Sequence, residues 1–286
     1  MTTALRDRYT DIQRWSPPLV RMTVVCLVLF LVALAALVVD HRVITDAPAW
    51  LKPAKFAASG VCYLVTLAWM VRALPDTRML RIASRLIAWI LVLEIALICV
   101  QAARGTTSHF NVDTPLDTAI FSTMGNGIAT VWVMSMVILW LHSRTPSSDR
   151  TMAAALRIGL ALNILGAGVG WIMTQPRAEQ LAAMRHGERP FVAGAHTIGG
   201  RDGGPGLPLT RWSREHGDLR VPHFLGMHAL QLLPLLLLGI RRLRTRRDDA
   251  TERGVILFAS AACAALFFAA LLQALQGHPI VQLSTR

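Results

Sequence analysis

Charged side chains are scarce in this sequence, and acidic ones are the scarcest. Only 16% of the 286 residues are charged, and Asp and Glu number 17 against 29 Lys and Arg. Soluble domains carry about 25% charged residues, whereas 53% of this chain is hydrophobic. The deficit excludes the surface of an ordinary soluble protein and indicates that lipid is the solvent for much of the chain.

Cysteine is also rare, and its placement excludes two kinds of cross-link. The four cysteines form no C-x-x-C pair, so neither a disulfide framework nor a zinc knuckle is indicated. All four fall inside apolar stretches, where we expect them to be small buried side chains. They are Cys26, Cys62, Cys99 and Cys263.

The sequence contains several long apolar stretches. A helix needs about 20 apolar residues to cross a bilayer core about 30 Å thick, and backbone groups in lipid must be paired within their own segment. We therefore predict an all-α, single-domain membrane bundle of seven transmembrane helices across residues 1–286. No small-residue cleavage pattern follows the first stretch, so it is expected to be an uncleaved helix. The predicted spans are 19–39, 55–74, 84–103, 118–141, 152–174, 221–240 and 254–275.

The net charge of +12 is explained by topology. Its arginines are concentrated in short loops and no aromatic-interleaved basic face accompanies them, so no nucleic-acid partner is indicated. With a cytoplasmic N-terminus, the inner segments hold 17 Lys and Arg and the outer segments 12. Because cytoplasmic loops carry the positive excess, we predict a cytoplasmic N-terminus and an extracytoplasmic C-terminus.

A polar stripe along the third span predicts a functional site. Glu94 lies near the centre of that span, where a charged side chain costs at least about 2.5–3.5 kcal/mol and commonly marks a functional path. Gln101 and Arg104 continue the stripe to the outer surface, and His109, Asn111 and Asp113 follow in the next loop. An interhelical hydrogen bond from a protonated Glu94 is the alternative interpretation.

The stretch "HGDLRVPHFLGMHALQ" brings further polar groups to the same face as the sixth span begins. It contains His216, Asp218, His223, His228 and Gln231. The loop before this span, 175–220, is too long to be a mere connection. Its apolar residues predict that it folds over the outer mouth as a lid, with disorder as the alternative.

Three simpler expectations concern helix faces. Gly166 and Gly170 are predicted to form a tight helix contact. Lys52 and Lys55 flank Pro53 and are expected to extend toward the membrane surface as interfacial anchors. Ser122, Asn126 and Thr130 are spaced four apart on the fourth span and are expected to face the interior together.

A divalent metal and haem are the two cofactors to be considered for these residues. Imidazole and carboxylate suit a divalent metal such as zinc, iron or copper, and His109, His196, His216 and His223 are the candidate ligands, although their spacing matches no known metal signature. Haem b is disfavoured, because only His228 lies well inside a predicted span and a bis-histidine site needs two at matching depth.

Four motifs resemble an uncharacterised family of bacterial polytopic inner-membrane proteins. They are "KPAKF", "QAARGTTSHFN", "GGPGLPLTRWS" and "HGDLRVPHFLGMHALQLLP"; the family patterns are KPxKF, RGxxSHFN and HGDLRxxHFxGxHALQ. The resemblance implies a multi-pass location in the bacterial cytoplasmic membrane and supplies no activity. The plan is also similar to the progestin and adipoQ receptor class, but the last span lacks that class's H-x-x-x-H pair.

These observations leave three functions open. The first is a membrane-embedded enzyme with an outward-facing, histidine-rich cavity, in which Glu94 and His228 are the acid or base and a divalent metal is a further hypothesis. Its binding residues would be those of the polar stripe and the sixth span. The second is a proton-coupled transporter or channel that uses Glu94. The third is a sensor or assembly factor without catalysis. In each case the partners are the lipid bilayer and a small molecule or ion of unknown identity.

Overall fold

Seven helices of the protein are long and apolar enough to cross a membrane, which confirms the predicted helical membrane bundle. The computed structural model describes residues 16–188, 190–243 and 248–281. Its helices are α1 (Pro17–Val39), α2 (Leu51–Val71), α3 (Arg78–Ala103), α4 (Pro115–Arg144), α5 (Arg150–Met173), the short α6 (Ala178–Arg185), α7 (Arg220–Leu243) and α8 (Asp249–Leu275). The helix α2 begins before its predicted span because the first turn of a helix tolerates Pro53.

Side-chain caps set where several helices begin. The hydroxyl of Thr77 accepts a hydrogen bond from the backbone N–H of Leu80 at the start of α3. Thr114 does the same for Asp117 at the start of α4, where Pro115 lies in the first turn. A carboxylate oxygen of Asp149 caps α5. Each cap satisfies one of the backbone donors that the first turn of a helix leaves unpaired.

Two short antiparallel strand pairs lie in the loops. Strand β1 (Val43–Ile44) pairs with β2 (Ala47–Pro48), and β3 (Thr197–Ile198) pairs with β4 (Gly217–Asp218). The β1–β2 turn has two residues in the left-handed region, with φ of 48° and 57°. Positive φ at both central positions is the geometry of the type I′ hairpin turn, which matches the twist of paired strands.

The helices form a ring with two additions. Around the ring α2 packs on α3, α3 on α4, α4 on α5 and α5 on α7, while α7 touches α2 only slightly. Outside it, α1 packs on α2 and α3, and α8 on α5 and α7. The core within the ring is apolar, with six fully buried side chains contributed by four helices: Leu64, Leu67, Ile87, Leu160, Leu230 and Leu233.

The closest approach in the ring is between α5 and α7. A Cβ placed on Gly166 would lie 2.6 Å from the backbone nitrogen of Met227, and one on Gly159 would lie 2.9 Å from the carbonyl oxygen of Ala229. The prediction for Gly166 is confirmed. The one for Gly170 is wrong, because a Cβ there meets nothing within 4 Å; the second small position of the contact is two turns earlier, at Gly159.

The polar face predicted for the fourth span points the other way. Ser122 and Asn126 are exposed on α4 rather than turned into the bundle. Asn126 donates to the carbonyl of Ser122, and the Thr130 hydroxyl donates to the carbonyl of Asn126. These side chains satisfy themselves on their own helix, so the expectation of an interior stripe is wrong.

Candidate functional site

The candidate site lies at the end of the bundle where α2 and α7 begin and α3 ends, called here the site end. Two loops close over it. The first is 104–114, between α3 and α4, and the second is the long segment 174–219 before α7. They are joined by two backbone hydrogen bonds, from Ala193 N–H to the Phe110 carbonyl at 2.8 Å and from Val112 N–H to the Phe191 carbonyl at 3.1 Å.

An unusual backbone conformation turns the first loop inward. Phe110 has a φ of 63°, which is uncommon for a bulky residue, and its side chain is only 5% exposed. It packs edge-on against His196, with 4.9 Å between ring centroids, and against Phe121. Surrounding packing therefore holds the strained residue in place, and the preceding residue, His109, lies against α3.

Glu94 and His109 face each other at the deepest point of the site. The Nε2 atom of His109 lies 3.9 Å from a carboxylate oxygen of Glu94, and the two side chains are 22% and 5% exposed. Lys52, in the first turn of α2, is the neighbouring cation that interacts electrostatically with Glu94. Lys52 is partly buried, and its charge acts on a buried carboxylate, a role that the expected interfacial anchoring did not include.

The histidine of this pair is held neutral. Burial lowers the pKa of His109 well below 6.5, and the nearby Lys52, His196 and His223 lower it further. A neutral imidazole donates through one nitrogen and accepts through the other. Nδ1 of His109 is 3.0 Å from the hydroxyl of Ser108, so Nε2 is the nitrogen turned toward Glu94.

A second histidine reaches the site from the long loop and is held by Asp202. Its Nδ1 lies 2.8 Å from that carboxylate, and the backbone N–H groups of His196 and Thr197 donate to the same side chain at 2.9 Å. Although burial raises the pKa of Asp202, these bonds hold it well below its usual range. Burial lowers the pKa of His196 despite the opposing carboxylate. Asp202 thus fixes the imidazole with Nε2 as the basic nitrogen.

The third histidine of the site comes from the first turn of α7. Nδ1 of His223 lies 2.8 Å from the backbone carbonyl of Gly166, at the close α5–α7 contact. His228, one turn deeper, stacks on Phe224 with 4.3 Å between centroids and is partly buried. The predicted Gln231 also lies on this helix, where its buried side-chain oxygen has no hydrogen-bond partner among the residues that the structure describes.

Gln101, Arg104 and Asn111 build the loop rather than the deep site. Gln101 donates to Asp117 at 2.8 Å, and Arg104 pairs with the same carboxylate at 2.6 Å. Asn111 is fully buried and donates to the Thr107 carbonyl at 3.1 Å. This network ties the end of α3 to the start of α4 and so fixes the loop that carries His109.

The remaining predicted residues lie apart from the Glu94–His109 pair. Asp113 is exposed. Asp218 is fully buried in an ion pair of 2.6 Å with Arg220 and accepts a bond from the Ser213 backbone, so it fastens the loop. His216 packs against Gly200 in the long loop.

The metal hypothesis receives no support from this geometry. In the described ranges, no three His, Cys, Asp or Glu side chains are grouped so that they could hold one ion. Of the four proposed ligands, His196 and His223 already use Nδ1 for Asp202 and Gly166, and His216 lies on the loop.

Two site residues were missed by the sequence analysis. Lys52 was assigned to the membrane surface, although a buried Glu94 demands a counter-charge and a lysine at a neighbouring helix start is the nearest source. Asp202 stands in a glycine-rich run, "GGRDGG". Nothing local to that run singles out the aspartate, because its partners are brought to it by the fold of the loop.

No family model, curated protein or solved structure matches this chain.

Proposed function

We propose that this multi-pass membrane protein is an enzyme that carries out proton-transfer chemistry at the site end. The observation that carries the proposal is the pairing of a nearly buried carboxyl, Glu94, with a neutral imidazole, His109. Their 3.9 Å separation is longer than a direct hydrogen bond and leaves a position that one polar atom of a substrate, or a water, bridges. Such an atom lies within reach of both an acid and a base.

Two other residues, one histidine and one lysine, extend this chemistry. His196 has Nδ1 held by Asp202, so its Nε2 is available to accept a proton and the resulting imidazolium is stabilised by the carboxylate. Lys52 lies in the first turn of α2 near Glu94, and its ammonium form would favour negative charge developing on a bound substrate. In this assignment Glu94 and His109 exchange the proton, His196 is a second base, and Lys52 stabilises charge.

The core beyond the site favours an enzyme over a through-channel. The fully buried leucines and isoleucine of α2, α3, α5 and α7 lie inside the ring toward its other end. Tyr63 and Ser135, which are polar, satisfy each other there at 2.7 Å. This apolar packing lies between the site and the other end of the bundle, as expected of a site that opens at one end only.

A proton-coupled transporter is the second candidate, and the depth of Glu94 favours it. Glu94 lies nine residues before the end of α3, about 14 Å along the helix axis at 1.5 Å per residue. An ionisable residue at such depth is a typical element of proton pathways.

Product formation by reconstituted protein separates these candidates. The full chain in lipid vesicles is incubated with the lipid and water-soluble fractions of a bacterial extract, and consumed compounds are identified by mass spectrometry. We expect Glu94→Gln and His109→Gln to slow consumption by about 10²-fold or more, while the exposed Glu179→Gln leaves the rate unchanged. An extract unaltered by the wild type contradicts the enzyme. Proton uptake that Glu94→Gln abolishes, without any product, supports the transporter.

A further inference from the structure

The side of the site that faces the membrane is covered by aromatic rings. Phe56 on α2 is 37% exposed and contacts His109, with 5.4 Å between ring centroids. Phe224 on α7 is 46% exposed and stacks on His228. Site histidines are therefore separated from the surface of the bundle by single side chains on two helices that touch each other only slightly.

The opposite direction, toward water, is covered much more heavily. The segment 190–219 is tied to loop 104–114 by backbone hydrogen bonds, to α5 through the Ala195 N–H and the Met173 carbonyl, and to the β1–β2 turn through Gly204 and Asp46. A ligand that came from water would have to displace this bonded segment. One that came from the membrane would meet the single rings of Phe56 and Phe224, with Trp212 packed against the second.

The rim beside these rings is both cationic and apolar. Lys55 donates to the Thr210 carbonyl at 3.3 Å and Arg211 donates to the Asp46 carbonyl, and neither has a carboxylate within 4 Å among the described residues. The neighbouring Leu209 is 76% exposed, and the ring of Trp212 meets Phe224 edge-on, with 5.5 Å between ring centroids. Cations next to exposed aromatic and aliphatic groups suit a molecule with an anionic head and a hydrocarbon tail.

We propose that the ligand of this site is an anionic amphiphilic lipid that enters from the membrane between α2 and α7. Its head group would pass Lys55 and Arg211 to reach the Glu94–His109 pair, and its chain would remain between the two helices against Phe56 and Phe224. The assignment of this lipid as the substrate rests on the proposed enzyme, whereas the binding itself does not.

Photolabelling tests the binding without any assay of turnover. The full chain is placed in phosphatidylcholine nanodiscs that contain either a diazirine-tailed phosphatidylglycerol or the matched phosphatidylcholine probe, and labelled peptides are sequenced. We expect the anionic probe to label the start of α2 and residues 207–224 in preference to other exposed helix surfaces. Lys55→Gln and Arg211→Gln should each reduce that preference by about fivefold. Arg78→Gln, an exposed arginine at the other end of the bundle, is the matched control and should leave it unchanged.

The other possible results of the photolabelling experiment each contradict or support the lipid proposal. Even labelling over all exposed helices, or equal labelling of the α2–α7 seam by both probes, overturns the proposal. Loss of the preference in excess inorganic phosphate also overturns it, because the cations would then serve a soluble anion. Glu94→Gln should keep the labelling pattern, so a chain that is labelled as expected but converts no compound retains this inference while the proposed enzyme fails.

Discussion

At the scale of single residues, the three site histidines share one arrangement. In each, Nδ1 is engaged by a neighbour: Ser108 for His109, Asp202 for His196, and the Gly166 carbonyl for His223. Fixing one ring nitrogen sets the orientation of the ring and determines which nitrogen is left for chemistry. The site therefore presents Nε2 atoms on rings that cannot rotate without losing a hydrogen bond.

The depressed pKa values of His109 and His196 make the folded protein sensitive to acid. An unfolded histidine binds a proton below pH 6.5, whereas these two remain neutral when folded until the pH falls further. The unfolded state then holds more protons, so stability decreases from pH 6.5 down to the folded pKa values, by as much as about 1.4 kcal/mol per pH unit for each histidine. We expect the thermal midpoint in nanodiscs to fall between pH 6.5 and 5.

Tryptophan fluorescence melts measure this slope, and His109→Gln should make it shallower. The exposed His186→Gln is the control and should retain the wild-type slope, because that side chain is solvated in both states. A His109→Gln variant as acid-sensitive as the wild type would show that His109 is not the residue responsible.

Asp202 should control the order of the segment that carries His196. Asp202→Asn removes the charge that accepts bonds from two backbone N–H groups and an imidazole, and bonds to charged groups contribute about 1.5–3 kcal/mol each. We expect amide hydrogen exchange at 196–202 to accelerate at least tenfold while the helices stay protected. Glu179→Gln, whose ion pair with Arg201 is exposed, should have no such effect. Unchanged exchange in Asp202→Asn would mean that the hairpin holds the segment by itself.

The sequence alone predicted correctly that some of these residues share one site, and it misplaced others. Glu94, His109 and His223 were predicted at one face because a buried charge needs partners and the alternation of spans sets the depth of each loop. Gln101 and Asn111 were predicted in the same cavity, yet they build the loop. Whether a side chain in this region reaches the deep site or bonds within the loop depends on the direction in which it points. That direction is set by the turn at Phe110, and such a turn produces no periodic pattern in the sequence.

At the scale of helices, the close contact of α5 and α7 supports the site as well as the fold. The Gly166 carbonyl that holds His223 lies where the two backbones are nearest. Apolar length predicted every span, because lipid leaves the backbone no alternative to a helix. The face that each helix turns inward was harder to predict. Gly170 and Asn126 are on the outside, since small or self-bonded polar side chains are tolerated on either face.

Gly166→Ala should therefore disturb both stability and His223. Its Cβ would lie within 3 Å of backbone atoms of α7, which cannot move aside as a flexible side chain would. Overpacking of this kind costs about 1–3 kcal/mol, and we expect a lower thermal midpoint together with altered reactivity of His223 toward diethyl pyrocarbonate. Gly170→Ala meets open space and should melt at or slightly above the wild-type temperature. Equal midpoints for the two variants would contradict the structural contact.

At the scale of the whole molecule, the two ends of the bundle have different chemistry. The site end carries the histidines and the long loop. The other end is held by a network in which Arg241 pairs with Asp149 at 2.5 Å and with the buried Glu252 at 2.8 Å. This network joins α5, α7 and α8 at the end of the bundle opposite the site. We therefore assign the chemistry to the site end and a stabilising role to the ion pairs of the other end.

The distribution of Lys and Arg predicts which end faces the cytoplasm. Cytoplasmic loops carry the positive excess, and the helix ends opposite the site carry it here, so the site end should face outward. In a cysteine-free background, His41→Cys marks the site end and Ser148→Cys the other, and both positions are exposed. A membrane-impermeant maleimide applied to intact cells should label His41→Cys at once and Ser148→Cys only after the membrane is opened. Seven of the outer arginines lie in the long loop. Long loops are translocated across the membrane largely regardless of their charge, so the predicted orientation depends on the charges of the short loops. The reverse labelling pattern would place the Glu94–His109 site in contact with the cytoplasm and would contradict the outward-facing orientation.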